Sequence, residues 1–133
     1  MNAAPVYLDS SAVLKLIFEE DETPGLVAFL ADRPARVSSA LARIEVMRVA
    51  ARVDDQAVER EAHRVLRGIS LIRIDDAVVA AAATVAPAGL RSLDAIHLAT
   101  IQAFGPRISG IVTYDRRLAT AARDRGIAVW APP

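Results

Sequence analysis

Asp94 stands in the segment RSLDAIHLAT, residues 91–100, where Leu93, Ile96, Leu98 and Ala99, with Ile101 just beyond, otherwise spell a buried helix. An acid in apolar surroundings needs a partner or a cation, because desolvating an unpaired charge costs several kcal/mol. Two more acids stand where ligands bind in α/β proteins. Asp9 ends the apolar run Val6-Tyr7-Leu8, and Asp115 ends Ile111-Val112-Thr113-Tyr114, each at a handover from strand to helix. In an open parallel sheet, ligands sit just outside such carboxyl ends, where loops converge and helix N-termini point. A fourth acid, Glu45, lies within the helical stretch ALARIEVMRVAARV, with Arg48 three residues on and Arg52 seven on. Each acid taken alone also has an ordinary explanation. Asp9 and Asp115 can cap helices, Asp94 can favour the dipole of a helix capped by Ser92, and Glu45 can pair with arginine on a helix surface.

The elements that must position these acids alternate along the chain. Val6–Leu8 reads as a strand, and Ser10 or Ser11 can cap a helix through Ala12, Val13, Leu16 and Ile17. The acidic run Glu19–Glu22 and then Pro24-Gly25 break that helix, and a second helix covers Leu26–Ala31. Arg36–Ser38 is a possible strand. Ser38 or Ser39 caps a long helix through Leu41, Ile44, Val49 and Val53, and Asp54-Asp55 open another that ends at Gly68. Ile69–Ile74, rich in β-branched and aliphatic residues, reads as a buried strand, followed by an Asp75-Asp76 cap and the alanine-rich helix Val78–Val85. Pro87 and Gly89 stop it. After the helix containing Asp94 come a strand at Ile108–Thr113, a helix at Arg116–Arg125 stopped by Gly126, and a last strand at Ile127–Trp130. Strand and helix in alternation imply a parallel sheet wrapped by helices.

Composition sets the outer bounds. The chain has 133 residues, 53% of them hydrophobic, and charges that balance to zero. That describes one soluble globular domain over residues 1–133, with no global charge signal for nucleic acid. The absence of cysteine excludes a disulfide scaffold and thiolate metal sites, and suits a cytoplasmic protein. The start, MNAAPVYLDSS, has no charged leader followed by a long apolar core. The longest charge-free run, Ala77–Leu90, is too short to span a bilayer and contains Pro87, so no membrane association is expected. The early helices carry Val13, Leu14, Ile17, Phe18, Leu26 and Phe29 on short segments. That is more apolar surface than one core is expected to bury, as at a dimer or partner interface.

Four segments in order, VYLDSSAV, ARIEVMR, LRSLDAIHLAT and IVTYDRRLATAA, together resemble the PIN-domain family, specifically the VapC-like ribonuclease toxins of toxin–antitoxin pairs. The resemblance covers essentially the whole chain. It implies a three-layer α/β fold, with a central parallel sheet of about five short strands flanked by helices. It also implies that Asp9, Glu45, Asp94 and Asp115 form one catalytic pocket that binds divalent metal and cuts RNA. On that reading Asp94 is a metal ligand. The chemistry suits these residue types. Phosphodiester hydrolysis needs a hydroxide-like nucleophile near neutral pH and relief of charge on the phosphate oxygens. Mg²⁺ or Mn²⁺ supplies both and prefers carboxylate and water oxygens, whereas no cysteine and only two histidines speak against zinc.

The resemblance further places the hydroxyls of Ser10 and Thr113 in or beside the pocket, although Ser10 can equally serve as a cap. Arg91, Arg116 and Arg117 lie beside it and could contact RNA phosphates, the alternative being solvated surface. A histidine in a helix core, as His97 is read, more often packs through hydrogen bonds than acts as a base. Tyr7 and Trp130 read as core. The implied partners are an RNA substrate, a second copy in a homodimer, and a VapB-like antitoxin whose C-terminal segment covers the acids. Two other sheet-edge architectures fail on single positions. A receiver domain needs a lysine after a late strand, yet the sole lysine is Lys15; a haloacid-dehalogenase-like phosphatase needs an aspartate where Ser11 stands. The remaining alternative is a PIN-like binding module without catalysis.

Overall fold

A computed structural model describes residues 4–133. The chain runs through β1 (Val6–Leu8), α1 (Ser10–Ile17), α2 (Thr23–Leu30), β2 (Arg36–Ser39), α3 (Ala40–Val53), α4 (Gln56–Arg67) and β3 (Ser70–Ile72). It continues through α5 (Asp76–Thr84), α6 (Ser92–Phe104), a 3-10 turn at Gly105–Arg107, β4 (Gly110–Val112), α7 (Arg116–Asp124) and β5 (Val129–Trp130). The five strands form one parallel sheet in the order β3-β2-β1-β4-β5. Chain order therefore reverses at β1, which pairs with β2 on one side and β4 on the other. The crevice at such a reversal is where an open α/β sheet admits ligands.

Side-chain alternation along β1 sends Val6 and Leu8 to one face and Tyr7 to the other. Val6 and Leu8 join a core with Ala12 and Val13 of α1, Leu26 and Leu30 of α2, Val46 and Ala50 of α3, and Val65 and Leu66 of α4. Tyr7 joins a second core with Leu98 and Ile101 of α6, Ile111 of β4, and Leu118 and Ala121 of α7. The result is the expected three layers. At Gly110 the close approach of β5 leaves no space for a side chain, since a Cβ there would lie 2.6 Å from the Ala128 carbonyl oxygen and from the Trp130 ring.

The structure departs from expectation at several element ends. Pro24 and Gly25 open α2 instead of breaking the chain, since proline suits the first helical turn, where its missing N–H is not needed. The strand expected over Ile69–Ile74 shrinks to β3 and is not fully buried; it is the sheet's edge, paired with β2 alone. Asp54 belongs to the end of α3, in a left-handed conformation at φ 55°, and Asp55 alone caps α4 through the Ala57 N–H. Arg91, and not Ser92, is the residue at the N-cap of α6, with no side-chain cap bond. The apolar surplus expected on the early helices is largely absorbed: Val13 and Leu26 are buried, and Leu14, Ile17, Phe18 and Phe29 are half-buried. The exposed large apolar side chains are instead Val27, Ile44, Val53, Val79 and Leu93. Among the described residues, no helix is long and apolar enough to cross a membrane.

Candidate active site

Asp9 and Asp115 stand at the carboxyl ends of β1 and β4, and Glu45 and Asp94 on α3 and α6 of the two helical layers. Asp9 follows β1 directly and caps α1, its Oδ1 accepting from the Ala12 N–H at 3.0 Å and from the Ser11 hydroxyl at 2.6 Å. Its Oδ2 accepts from the Thr113 hydroxyl at 2.6 Å. Asp115 caps α7, its Oδ1 accepting from the N–H groups of Arg117 and Leu118 at 2.9 and 3.1 Å. Both acids therefore do cap helices; capping accounts for only part of the bonding of Asp9, and for every hydrogen bond of the Asp115 carboxylate. The Thr113 hydroxyl also accepts from the Asp115 N–H at 3.0 Å, and the Ser11 hydroxyl accepts from the Tyr114 N–H at 3.0 Å. These two hydroxyls lace the end of β1 to the end of β4.

Glu45 makes none of the arginine pairs expected of a helix-surface acid. Its Oε1 accepts from the Ser10 hydroxyl and lies 3.3 Å from His97 Nε2. Burial alone would push the Glu45 carboxyl up; the hydrogen bonds from His97 and Ser10 outweigh it and hold the carboxyl below its ordinary range. On the other side of its ring, His97 Nδ1 lies 2.6 Å from the Tyr7 hydroxyl. His97 is buried packing bonded at both nitrogens, as read, but one of its partners is a site acid. Tyr7 is fully buried, and burial pushes its hydroxyl far above the usual range.

Asp94 resolves the puzzle of its segment in an unexpected way. It is buried at 7% exposure, and its Oδ2 is the one buried side-chain oxygen or nitrogen among the described residues with no hydrogen-bond partner. Burial raises its carboxyl above the ordinary range, the Asp115 charge raises it further, and His97 and Arg91 offset only part of this. Asp9 is raised in the same direction, chiefly by burial, against the lowering effect of Ser11, Thr113 and the Ala12 N–H. The acids thus feel one another without enclosing a ready cage: no three His, Asp or Glu side chains among the described residues form a group able to hold an ion by themselves.

Two surface grooves flank Asp115. One of about 450 Å³ is lined by Leu90, Arg91, Arg116 and Arg117 among others, and one of about 490 Å³ by Thr113, Asp115, Arg116 and Arg123. Arg91, Arg116 and Arg117 are exposed and form no ion pair among the described residues. Sequence reasoning missed Ser11 and Arg123. The doubled serine after Asp9 was a signal for the first, and the one-turn spacing of Arg116, Thr120 and Arg123 along α7 a signal for the second.

Residues 6–124 match the PIN domain family. The chain belongs to the PIN-domain family. This PIN domain is 47% identical over 130 residues to Ribonuclease VapC46 of Mycobacterium tuberculosis, covering 97% of the chain and 98% of that protein. It is 36% identical to Ribonuclease VapC47 of the same species, covering 96% of each. Among solved structures, the PIN domain superposes on a toxin-antitoxin complex from Klebsiella pneumoniae with a TM-score of 0.74 and 21% identity, covering 96% of the chain and 98% of that one. It superposes equally well on M. tuberculosis VapC20, a sarcin-ricin loop cleaving toxin, with a TM-score of 0.73 and 15% identity over 96% and 99%. At those identities the two structures speak for the three-layer fold.

Proposed function

We propose that this PIN domain is a VapC-like toxin, an endoribonuclease that depends on Mg²⁺ or Mn²⁺ and is neutralised by a cognate antitoxin. The ribonuclease names of its full-length relatives support the activity. The observation that carries the metal is Asp94 Oδ2, a buried carboxylate oxygen without a donor, set among Asp115 and Asp9 charges. A cation relieves that arrangement, which His97 and Arg91 offset only in part.

Asp9, Glu45, Asp94 and Asp115 would face the ion, one or two of them binding it directly, as Asp94 Oδ2 is free to do, and the others through its waters. When bound, it supplies a water acidic enough to attack a phosphodiester near neutral pH and offsets charge building on the phosphate oxygens. The chain does the rest by positioning. Ser11 and Thr113 fix the Asp9 carboxylate, Ser10 and His97 fix Glu45, and the cap bonds fix Asp115 through Oδ1 alone. Arg91, Arg116 and Arg117 line the flanking groove, where their guanidinium forks suit the RNA backbone. A non-catalytic binding role leaves the strained charge cluster without a purpose. The reading extends to a homodimer in the cytoplasm and to an antitoxin segment laid over the acids.

The test is cleavage of RNA by the purified protein with Mg²⁺ or Mn²⁺ and in excess chelator, with circular dichroism as the control for folding. Cleavage that needs the ion while the spectrum stays unchanged is expected. Undiminished cleavage in chelator would overturn the metal, and no cleavage with either ion would overturn the nuclease.

A further inference from the structure

Tyr7 and His97 are more elaborate than packing requires. Tyr7 is fully exhausted as a core residue by its ring, which meets the His97 ring edge-on at 5.7 Å between centroids and 84° between planes. A phenylalanine would fill that space. The hydroxyl is accounted for by its 2.6 Å contact with His97 Nδ1, and the other ring nitrogen, Nε2, lies 3.3 Å from Glu45 Oε1. A phenol keeps its proton at neutral pH and can donate it to Nδ1 of a neutral imidazole. With Nδ1 accepting, the ring proton sits on Nε2 and points at the carboxylate.

The contact also spans the molecule. Glu45 rises from α3, on one face of the sheet, and His97 from α6, on the other. A glutamate with 27% of its side chain exposed and three free torsions would otherwise wander. Here Ser10 and His97 both hold Oε1, which leaves Oε2 outside those two hydrogen bonds. We infer that Tyr7 and His97 form a positioning relay, in which the Tyr7 hydroxyl sets the His97 tautomer and His97 Nε2–H fixes the rotamer of Glu45 across the edge of the sheet. This rests on the reading of Glu45 as part of the nuclease site. Neither residue touches substrate, so neither is a proton donor or acceptor in the reaction.

The experiment compares wild type with Tyr7→Phe, His97→Leu and His97→Gln, whose amide N–H can stand in for Nε2–H. Three readouts are used: RNA cleavage, the Mn²⁺ concentration giving half of the metal-induced gain in melting temperature, and the imidazole proton position by nitrogen-15 NMR. The wild-type ring should carry its proton on Nε2. Tyr7→Phe and His97→Leu should lower kcat by about 10–100-fold with KM for RNA nearly unchanged, and require more Mn²⁺ in the melting titration. His97→Gln should recover most of both. Tyr7→Phe alone is decisive if His97→Leu fails to fold, since it removes one oxygen and keeps the ring. Folded variants with wild-type kcat and metal titrations would overturn the relay, as would a proton on Nδ1. A wild type that cleaves no RNA would instead overturn the nuclease, and the melting titration and the NMR would still decide whether the relay holds Glu45 for an ion.

Discussion

Asp94 is the residue on which the proposed chemistry and the measured stability should pull in opposite directions. Asp94→Asn keeps the side-chain volume, removes one of several mutually repelling charges, and gives the orphaned oxygen's neighbours a neutral group. A helix-dipole residue would lose about 0.3–1 kcal/mol on this change and leave activity alone. A metal ligand should lose about 10–100-fold or more in cleavage, while metal-free melting holds or rises and the Mg²⁺-induced gain shrinks. Paired melting curves with and without Mg²⁺ decide between them; normal cleavage with lower metal-free melting would make Asp94 a helix-end residue only. The same charges predict a pH profile. Asp9 and Asp94 are raised in the folded state, so the folded chain binds more protons than the unfolded one between the two values. Their contribution is full below the ordinary aspartate value of about 4 and is lost as pH rises through the folded values. Glu45, lowered in the fold, contributes with the opposite sign, and its contribution disappears only as pH falls below about 4. From about pH 4.5 upward the metal-free protein should therefore melt lower as pH rises through the folded values of Asp9 and Asp94, and Asp94→Asn should flatten that slope. A flat wild-type profile would contradict the raised carboxyls.

At the level of elements, Thr113 carries more than its place at the end of β4 suggests, because its hydroxyl donates to Asp9 and accepts from the Asp115 N–H. Thr113→Val, equal in shape, strands both groups and should cost about 1–3 kcal/mol in urea unfolding, with a matching fall in cleavage. Thr113→Ser should keep both bonds and most of the activity. Equal stability for Val and Ser would mean that water replaces the hydroxyl. The acids at strand ends were legible in the sequence because strand length and the following helix signal fix where the carboxyl edge falls. Asp94 was legible because an acid among Leu93, Ile96 and Leu98 demands explanation. What supports Glu45 was not: Ser10 is 35 positions away and His97 52 positions away, and no periodicity within one helix reports contacts made over the top of a sheet. The β3 edge was misjudged for a related reason, since strand order, and not strand composition, decides which apolar run meets solvent on one side.

The whole molecule balances its charges to zero yet gathers three exposed arginines at one groove, Arg91 near Asp94 and Arg116 and Arg117 directly after Asp115. RNA binding should therefore weaken with salt, and neutralising Arg91, Arg116 or Arg117 should each lower the slope of log affinity against log salt by about 1. Binding in Ca²⁺ or without metal, followed by fluorescence anisotropy, measures this; an unchanged slope would place the RNA elsewhere. The proposed homodimer predicts a sedimentation coefficient that rises with concentration, and a monomer at every concentration would remove it. Asp9 and Glu45 are carried by elements packed in one hydrophobic core, and Asp94 and Asp115 by elements packed in the other. Catalytic competence is thus a report on how two helical layers sit on the sheet they share. Because β1 and β4 belong to both cores, urea should extinguish cleavage and the helical signal together.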